Sequence, residues 1–298
     1  MDFSLEVMAR RTSVRSYDGL PIDSDKMRAL YDAMGASVPG PFGGRARFEL
    51  VVPETDSASG EGGEGRLARN GRIGTYGLIS KVPAFIVGTI ARGSRALEDF
   101  GYSMEGLVLK ATELGLGSCW IGGLFDRGAA SKALDRRDGE LLPAVVAIGM
   151  AATRKTAPDT LTRRLARADS RRPAAELFFD GAPGKPLALE TSPWRLVFEA
   201  LRMGPSASNK QPWRVIARGG GDRPRFDLYL NEDRLYNSAL GEIRIQNIDM
   251  GIAMRHFESA ARSLGLPGSW STGAEAEAIA GAGAVMAPPL AYVASWVA

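Results

Sequence analysis

A long internal repeat restricts what this chain can fold into more than any other feature. Residues Asp99 to Trp120 read DFGYSMEGLVLKATELGLGSCW, and Asp249 to Trp270 read DMGIAMRHFESAARSLGLPGSW. The copies lie a constant 150 residues apart, without a gap. Eight positions are identical: Asp99/Asp249, Gly101/Gly251, Met104/Met254, Ala111/Ala261, Leu114/Leu264, Gly115/Gly265, Leu116/Leu266 and Trp120/Trp270. Each copy predicts an amphipathic helix, with apolar residues at helical spacing through Met104, Leu107, Val108, Ala111 and Leu114 in the first. Each ends in Leu-Gly-Leu, where glycine suits the left-handed residue that closes a helix.

The flanks repeat more loosely. A predicted helix at Met27–Met34 precedes a strand at Arg47–Val52, and a helix at Arg195–Met203 precedes a strand at Trp213–Ala217. Each half then carries an inner strand, Pro83–Ile90 or Phe226–Leu230, and closes on another, Pro143–Gly149 or Leu290–Val297. Two copies of mixed helix and strand are too few for a solenoid. They suit either tandem duplicated domains or an internal pseudo-dimer with one core and a site at the seam. The expected division is 1–180 and 187–298, with Asp180–Pro186 (DGAPGKP) as the junction; Thr55–Gly65, rich in Ser, Gly and Glu, reads as a mobile loop.

Composition removes several function classes. A net charge of +3 over 298 residues implies no nucleic-acid partner. The arginine run from Arg163 to Arg172 is either a solvated face or a site for an anion. Cys119 is the one cysteine, so no internal disulfide forms and a reducing, cytoplasmic setting is expected. The N-terminus lacks the basic-then-apolar order of a signal peptide. Ala278–Ala298 is uncharged and long enough to span a bilayer, but Pro288-Pro289 would break a helix midway. It is read as a loop feeding a buried strand, not as a membrane anchor.

Three motifs carry chemistry. Arg11-Thr12-Ser13-Val14-Arg15 offers guanidinium forks and hydroxyls to one anion, as a phosphate monoester requires, although a basic surface run needs no ligand. Gly204-Pro-Ser-Ala-Ser-Asn-Lys-Gln-Pro-Trp213 lies between a helix and a strand. Its prolines fix a loop along which Ser206, Asn209 and Gln211 can present hydrogen-bonding groups to a planar heterocycle; a capped polar turn is the alternative. Leu114–Gly123 (LGLGSCWIGG) departs from the dinucleotide fingerprint, because Trp120 stands where its last glycine belongs. Gly122 and Gly123 instead suit close backbone approach to a ligand. Cys119 reads as a structural thiol, and one cysteine with one histidine, His256, does not make a conventional zinc site.

Together these three motifs resemble those of the nitroreductase family, in particular its fused, two-half Thermotoga-type members. The resemblance implies an α+β fold: two halves, each an antiparallel-leaning sheet flanked by helices, joined as a pseudo-dimer. It implies FMN as cofactor, NAD(P)H as reductant and a small-molecule acceptor such as a nitroaromatic or quinone. Chemistry would run through flavin N5, with no catalytic side chain and no metal. A flavin carrier or sensor, or a scaffold that has lost flavin, are the alternatives. Carried over by resemblance, Arg11, Thr12, Ser13 and Arg15 would hold the phosphate and ribityl chain. Pro205, Ser206, Asn209 and Gln211 would reach the flavin from the other half, Gly122 and Gly123 would lie near N5, and Arg171 and Arg172 would assist the phosphate. Because the halves are fused, no obligate homodimer is required.

The departures are complementary. The early counterpart of the second motif reads Gly35-Ala-Ser-Val-Pro-Gly-Pro-Phe42, without Asn-x-Gln-Pro-Trp. The second half begins Glu190-Thr-Ser-Pro-Trp-Arg195, without Arg-x-Ser-x-Arg, and Ser271-Thr-Gly-Ala follows Trp270 in place of Ile-Gly-Gly. One complete composite site and one degenerate site are expected.

Overall fold

The computed structural model describes residues 1–52, 69–70, 73, 79–123, 125–153, 170–219, 224–273 and 290–298. The Thr55–Gly65 stretch, most of the arginine run and Pro288-Pro289 lie outside them.

The repeated segments form the two longest helices, α3 (Ala96–Glu113) and α7 (Ile245–Ser263). Both close as their sequences require, on Gly115 at φ +77° and Gly265 at φ +67°. They pack against each other at the centre of the molecule. The contact is made by the repeat's own glycines. A Cβ on Gly101 would lie 2.2 Å from the Ile248 carbonyl oxygen, and one on Gly251 would lie 1.9 Å from that of Glu98. Only two glycines let the backbones approach this closely.

Around this pair stand two sheets with the same strand order. The first runs β2 (Arg69–Asn70), β1 (Ala46–Val52), β3 (Ala84–Ala91), β6 (Val145–Gly149), β4 (Gly117–Ile121), with β5 (Glu140–Leu141) beside β3. The second runs β7 (Phe178–Asp180), β8 (Trp213–Arg218), β9 (Arg225–Asn231), β11 (Leu290–Val297), β10 (Ser269–Ser271). Among the described residues every strand pairing is antiparallel except one edge pair in each sheet, β1 with β2 and β7 with β8. The fold is α+β, two antiparallel-leaning sheets with helices, as expected from the resemblance.

The halves interleave. β7 lies within residues 1–180 yet completes the second sheet, so the junction in sequence is not the junction in structure. Helix α1 (Leu5–Arg10), capped by Ser4, buries Val7 and Met8 in the second half's core with Trp194, Phe198, Trp213 and Phe257. In return Ile243, Ile248 and Ile252 enter the first half's core beside Phe48, Phe100 and Met104. Burying apolar side chains across the seam is the main force holding the halves together. Among the described residues no helix is long and apolar enough to cross a membrane.

Candidate functional site

Burial of α1 sets the first wall of the site. Its C-terminus delivers Arg11 to the seam, and the chain then runs along the first sheet, bridging Ser13 to Ser118 and Ser16 to Ser80. The Tyr17 hydroxyl donates to the Ala147 carbonyl at 3.0 Å and anchors this run. Ser13 and Arg15 thereby line a cavity with Cys119, Trp120, Ile121, Gly122 and Gly123. Thr12 is exposed, and Arg11 is buried but does not reach the cavity wall.

The second wall comes from the other half. Helix α5 (Arg195–Met203) ends in Gly204, and Pro205, Ser206, Ala207 and Ser208 line the same cavity. They are joined by Tyr236 of the short helix α6 (Arg234–Asn237), by Ala239 and Leu240, and by Ile245, Ile248, Asp249 and Ile252 of α7. The cavity measures about 400 Å³, within the range of roughly 300–1,000 Å³ common for small-molecule sites. It is largely apolar, with a few polar groups converging on it.

The loop after α5 is strained and over-determined. Ser208, Asn209 and Gln211 all adopt positive φ, at +48°, +53° and +49°. Such residues cost on the order of 1–3 kcal/mol each and persist only where their surroundings enforce them. Here the enforcement is a hydrogen-bond web. Gln211 N donates to Ser206 Oγ at 2.9 Å, and Gln211 Nε2 donates to the Asn209 carbonyl at 3.2 Å. Arg172 N donates to Gln211 Oε1 at 3.0 Å, while Arg171 donates to Asn209 Oδ1 and to the Met203 carbonyl. Asn209, Gln211, Arg171 and Arg172 therefore stand behind the wall and hold its shape, whereas Pro205 and Ser206 form it. Ser208 and Tyr236 share a hydrogen bond of 2.8 Å, and Lys210 stacks on the Tyr236 ring while pairing with Asp233.

The site includes residues that motif reading did not select. Asp249 is one of the eight repeat identities, yet nothing local marks it as part of a cavity. Its Oδ1 accepts from Ala207 N at 2.9 Å, its Oδ2 has no hydrogen-bond partner among the described residues, and it is only 2% exposed. Desolvation pushes its carboxyl up to about 8, against the smaller opposing pull of the Ala207 N–H.

The pseudo-equivalent position carries different side chains. At the repeat spacing, Ile245, Ile248 and Ile252 correspond to Arg95, Glu98 and Tyr102. Arg95 pairs with Glu98 at 2.9 Å, donates to the Tyr292 carbonyl and lies over the Phe42 ring. Asn247 donates to Glu98, and Tyr102 donates to Glu258 at 2.8 Å. Asp99, the counterpart of Asp249, has both oxygens engaged, by Phe42 N at 2.8 Å and Gly44 N at 2.6 Å. Phe42 occupies the place of Ala207, and polar side chains cross-link the region that forms an apolar wall in the composite site.

The sequence matches the model of the family described as "Putative TM nitroreductase" over residues 4–261. The chain belongs to that family. Among solved structures it is similar to a "putative nitroreductase" from Thermotoga maritima, at 16% identity and a TM-score of 0.54, covering 98% of this chain and 91% of that one. It is also similar to a nitroreductase with bound FMN from Desulfitobacterium hafniense (22% identity, TM-score 0.38, 51% of this chain and 90% of that). A nitroreductase with bound FMN from Bacteroides fragilis is similar to the same degree (24% identity, TM-score 0.38, 51% and 92%). A comparison with curated proteins finds no match.

Proposed function

We propose that this protein is an FMN-dependent oxidoreductase that binds one flavin per chain in the seam cavity and passes electrons from NAD(P)H to a small acceptor. The observation that carries the reading is the joining of the two complementary motif sets. Ser13, Arg15, Gly122 and Gly123 from one half face Pro205 and Ser206 from the other across a single cavity. The donor set suits FMN. Arg15 supplies a cation and Ser13 a hydroxyl for the phosphate end. A Cβ on Gly122 would come within 2.5 Å of Ile245 Cδ1, so glycine there lets the first half's backbone close against the second half's helix at the cavity wall. Asp249 adds a buried oxygen that meets no partner among the described residues. Bound flavin would supply hydride and electron transfer; the protein's part is to orient it, pair its polar edge and exclude water.

Two measurements test this. Titration of apo-protein with FMN should saturate at one flavin per chain, since the alternative position lacks the motifs and carries the cross-linked Arg95, Glu98 and Phe42 instead; two equivalent sites would contradict the composite reading. Arg15→Ala should weaken FMN by about 1.5–3 kcal/mol, the range for hydrogen bonds to charged groups, and leave riboflavin nearly unaffected because it lacks the phosphate. Equal losses for both ligands would place Arg15 elsewhere. Oxidation of NADH and NADPH by the reconstituted protein, with quinone or nitroaromatic acceptors, then tests the electron donor.

A further inference from the structure

We infer that Asp249 is a ligand-positioning residue of the seam cavity, donating a hydrogen bond in its acid form to an acceptor atom, a carbonyl oxygen or unprotonated ring nitrogen, of the heterocycle bound there. The inference rests on the flavin reading above and adds to it a polar contact that none of the three motifs contains.

The symmetry of the repeat is broken at this aspartate. Asp99 and Asp249 occupy identical places in the repeat, and each ties the loop beside it to the central helix. Asp99 uses both oxygens, on Phe42 N and Gly44 N. Asp249 uses one, on Ala207 N. The donor that would complete the pattern, Asn209 N, lies two residues beyond Ala207 as Gly44 lies two beyond Phe42, but it turns to the Ser206 carbonyl at 2.9 Å. The positive-φ backbone of Ser208 and Asn209 accompanies that turn. In the first half both oxygens of the carboxylate are taken up by its loop. In the half with the cavity, Asp249 lines the wall with Ile248 and Ile252, and its buried Oδ2 meets no hydrogen-bond partner among the described residues.

A buried carboxyl with one backbone donor and apolar neighbours favours its neutral form. Desolvation holding Asp249 up to about 8 agrees with that geometry. A neutral carboxyl whose Oδ1 already accepts has an O–H to give, and among the described residues Oδ2 meets no acceptor. The other titratable or charged groups on the cavity are Arg15 beside the first sheet, Cys119 on β4 and Tyr236 on α6, with the Lys210–Asp233 pair behind Tyr236. Tyr236 is raised from its ordinary value chiefly by burial. Arg15, Cys119 and Tyr236 are all unchanged in an Asp249 variant.

The experiment is the dissociation constant of FMN, and in parallel riboflavin, from flavin-fluorescence titration of apo-protein between pH 7 and about pH 9.5, on wild type, Asp249→Asn and Asp249→Ala. Asn keeps the acceptor for Ala207 N and offers an N–H in place of the O–H. Asp249→Asn should stay within about threefold of wild type at pH 7, and Asp249→Ala should weaken both flavins roughly tenfold, the scale of one neutral hydrogen bond. Wild-type affinity should fall as pH rises through about 8, because the ionised carboxylate has no proton to donate, while Asp249→Asn stays flat. Equal pH profiles in wild type and Asp249→Asn would assign the titration to another group and overturn the inference. A loss in Asp249→Asn as large as in Asp249→Ala at pH 7 would make Asp249 an acceptor and overturn it too. If Asp249→Ala does not fold, the comparison of wild type with Asp249→Asn decides alone. A wild-type chain that binds neither flavin would sink the functional reading itself, whereas wild-type binding with indifferent variants sinks only this inference.

Discussion

Among the described glycines, Gly251→Ala is expected to be the most destabilising alanine substitution. A Cβ there would sit 1.9 Å from the Glu98 carbonyl oxygen and 2.6 Å from Tyr102 N, both backbone atoms in the body of α3. No side chain can swing away, so α3 and α7 must separate by more than an ångström along the seam. Overpacking of cores costs about 1–3 kcal/mol and sometimes more; a backbone-on-backbone clash belongs at or above the top of that range. Against a typical total of roughly 5–15 kcal/mol, such a loss is a large fraction of the fold's stability. The cavity should suffer with it, because Ile248, Asp249 and Ile252 ride on the displaced helix. Gly35→Ala is the control. It lies at the exposed end of α2 (Ser24–Gly35) with nothing within 4 Å of the added carbon, and should be neutral or gain up to about 1 kcal/mol from helix propensity. The measurement is the urea midpoint of each variant. A Gly251→Ala midpoint close to that of Gly35→Ala would mean the helices do not cross where the structure places them.

The same two glycines show what the sequence made legible and where it stopped. Gly101 and Gly251 were visible as repeat identities, and the repeat alone implied two related halves. The boundaries of α5 and β11 could be read directly, because an amphipathic stripe and an uncharged apolar run are local patterns. β4 was masked by the glycines of its motif, since strand pairing depends on β6, a partner distant in sequence. β7 could not be assigned to its sheet for a similar reason: three residues gain a fold only by pairing with β8, and nothing in Phe178–Asp180 says which half supplies it. The cavity was legible where residue order is unusual, as in Arg-x-Ser-x-Arg and the proline-fixed loop, which bring Ser13, Arg15, Pro205 and Ser206 to it. It was not legible where ordinary side chains acquire a role by placement. Ile245, Ile248 and Ile252 look like any core stripe, and Asp249 looks like any helical aspartate. The division of labour among Ser206, Asn209 and Gln211 also needed the structure, because the web turns two of the three behind the cavity wall.

His256→Ala is expected to rival Gly251→Ala, through a different mechanism. His256 is fully buried on α7, with Nδ1 3.0 Å from the Ala200 carbonyl and Nε2 2.9 Å from Glu105 Oε1 on α3. Because a carbonyl only accepts, Nδ1 carries a proton. The contact between Nε2 and Glu105 then holds one shared proton, either on an imidazolium facing a carboxylate or on a glutamic acid facing a neutral ring. The other glutamate oxygen accepts from Trp120 Nε1 at 2.7 Å, and Trp120 lines the cavity. One chain of hydrogen bonds thus ties α5, α7, α3 and the cavity wall together across the seam. The repeat does not foreshadow it: at the repeat spacing Glu105 matches Arg255, and His256 matches Gly106. Removing the ring leaves Glu105 fully buried with one oxygen unpaired, and loss of one partner from a buried pair of this kind costs about 3–5 kcal/mol. Glu105→Gln should cost much less, since its amide can donate to a neutral Nε2 while its oxygen still accepts from Trp120. Both variants can be read by urea denaturation and by the fluorescence of the tryptophans. His256→Ala should lower the midpoint sharply and shift the emission as the Trp120 hydrogen bond loosens, with Glu105→Gln falling between it and wild type. If His256→Ala and Glu105→Gln unfold at the wild-type midpoint, the buried chain of hydrogen bonds does not hold the halves together, and apolar packing alone must account for the seam.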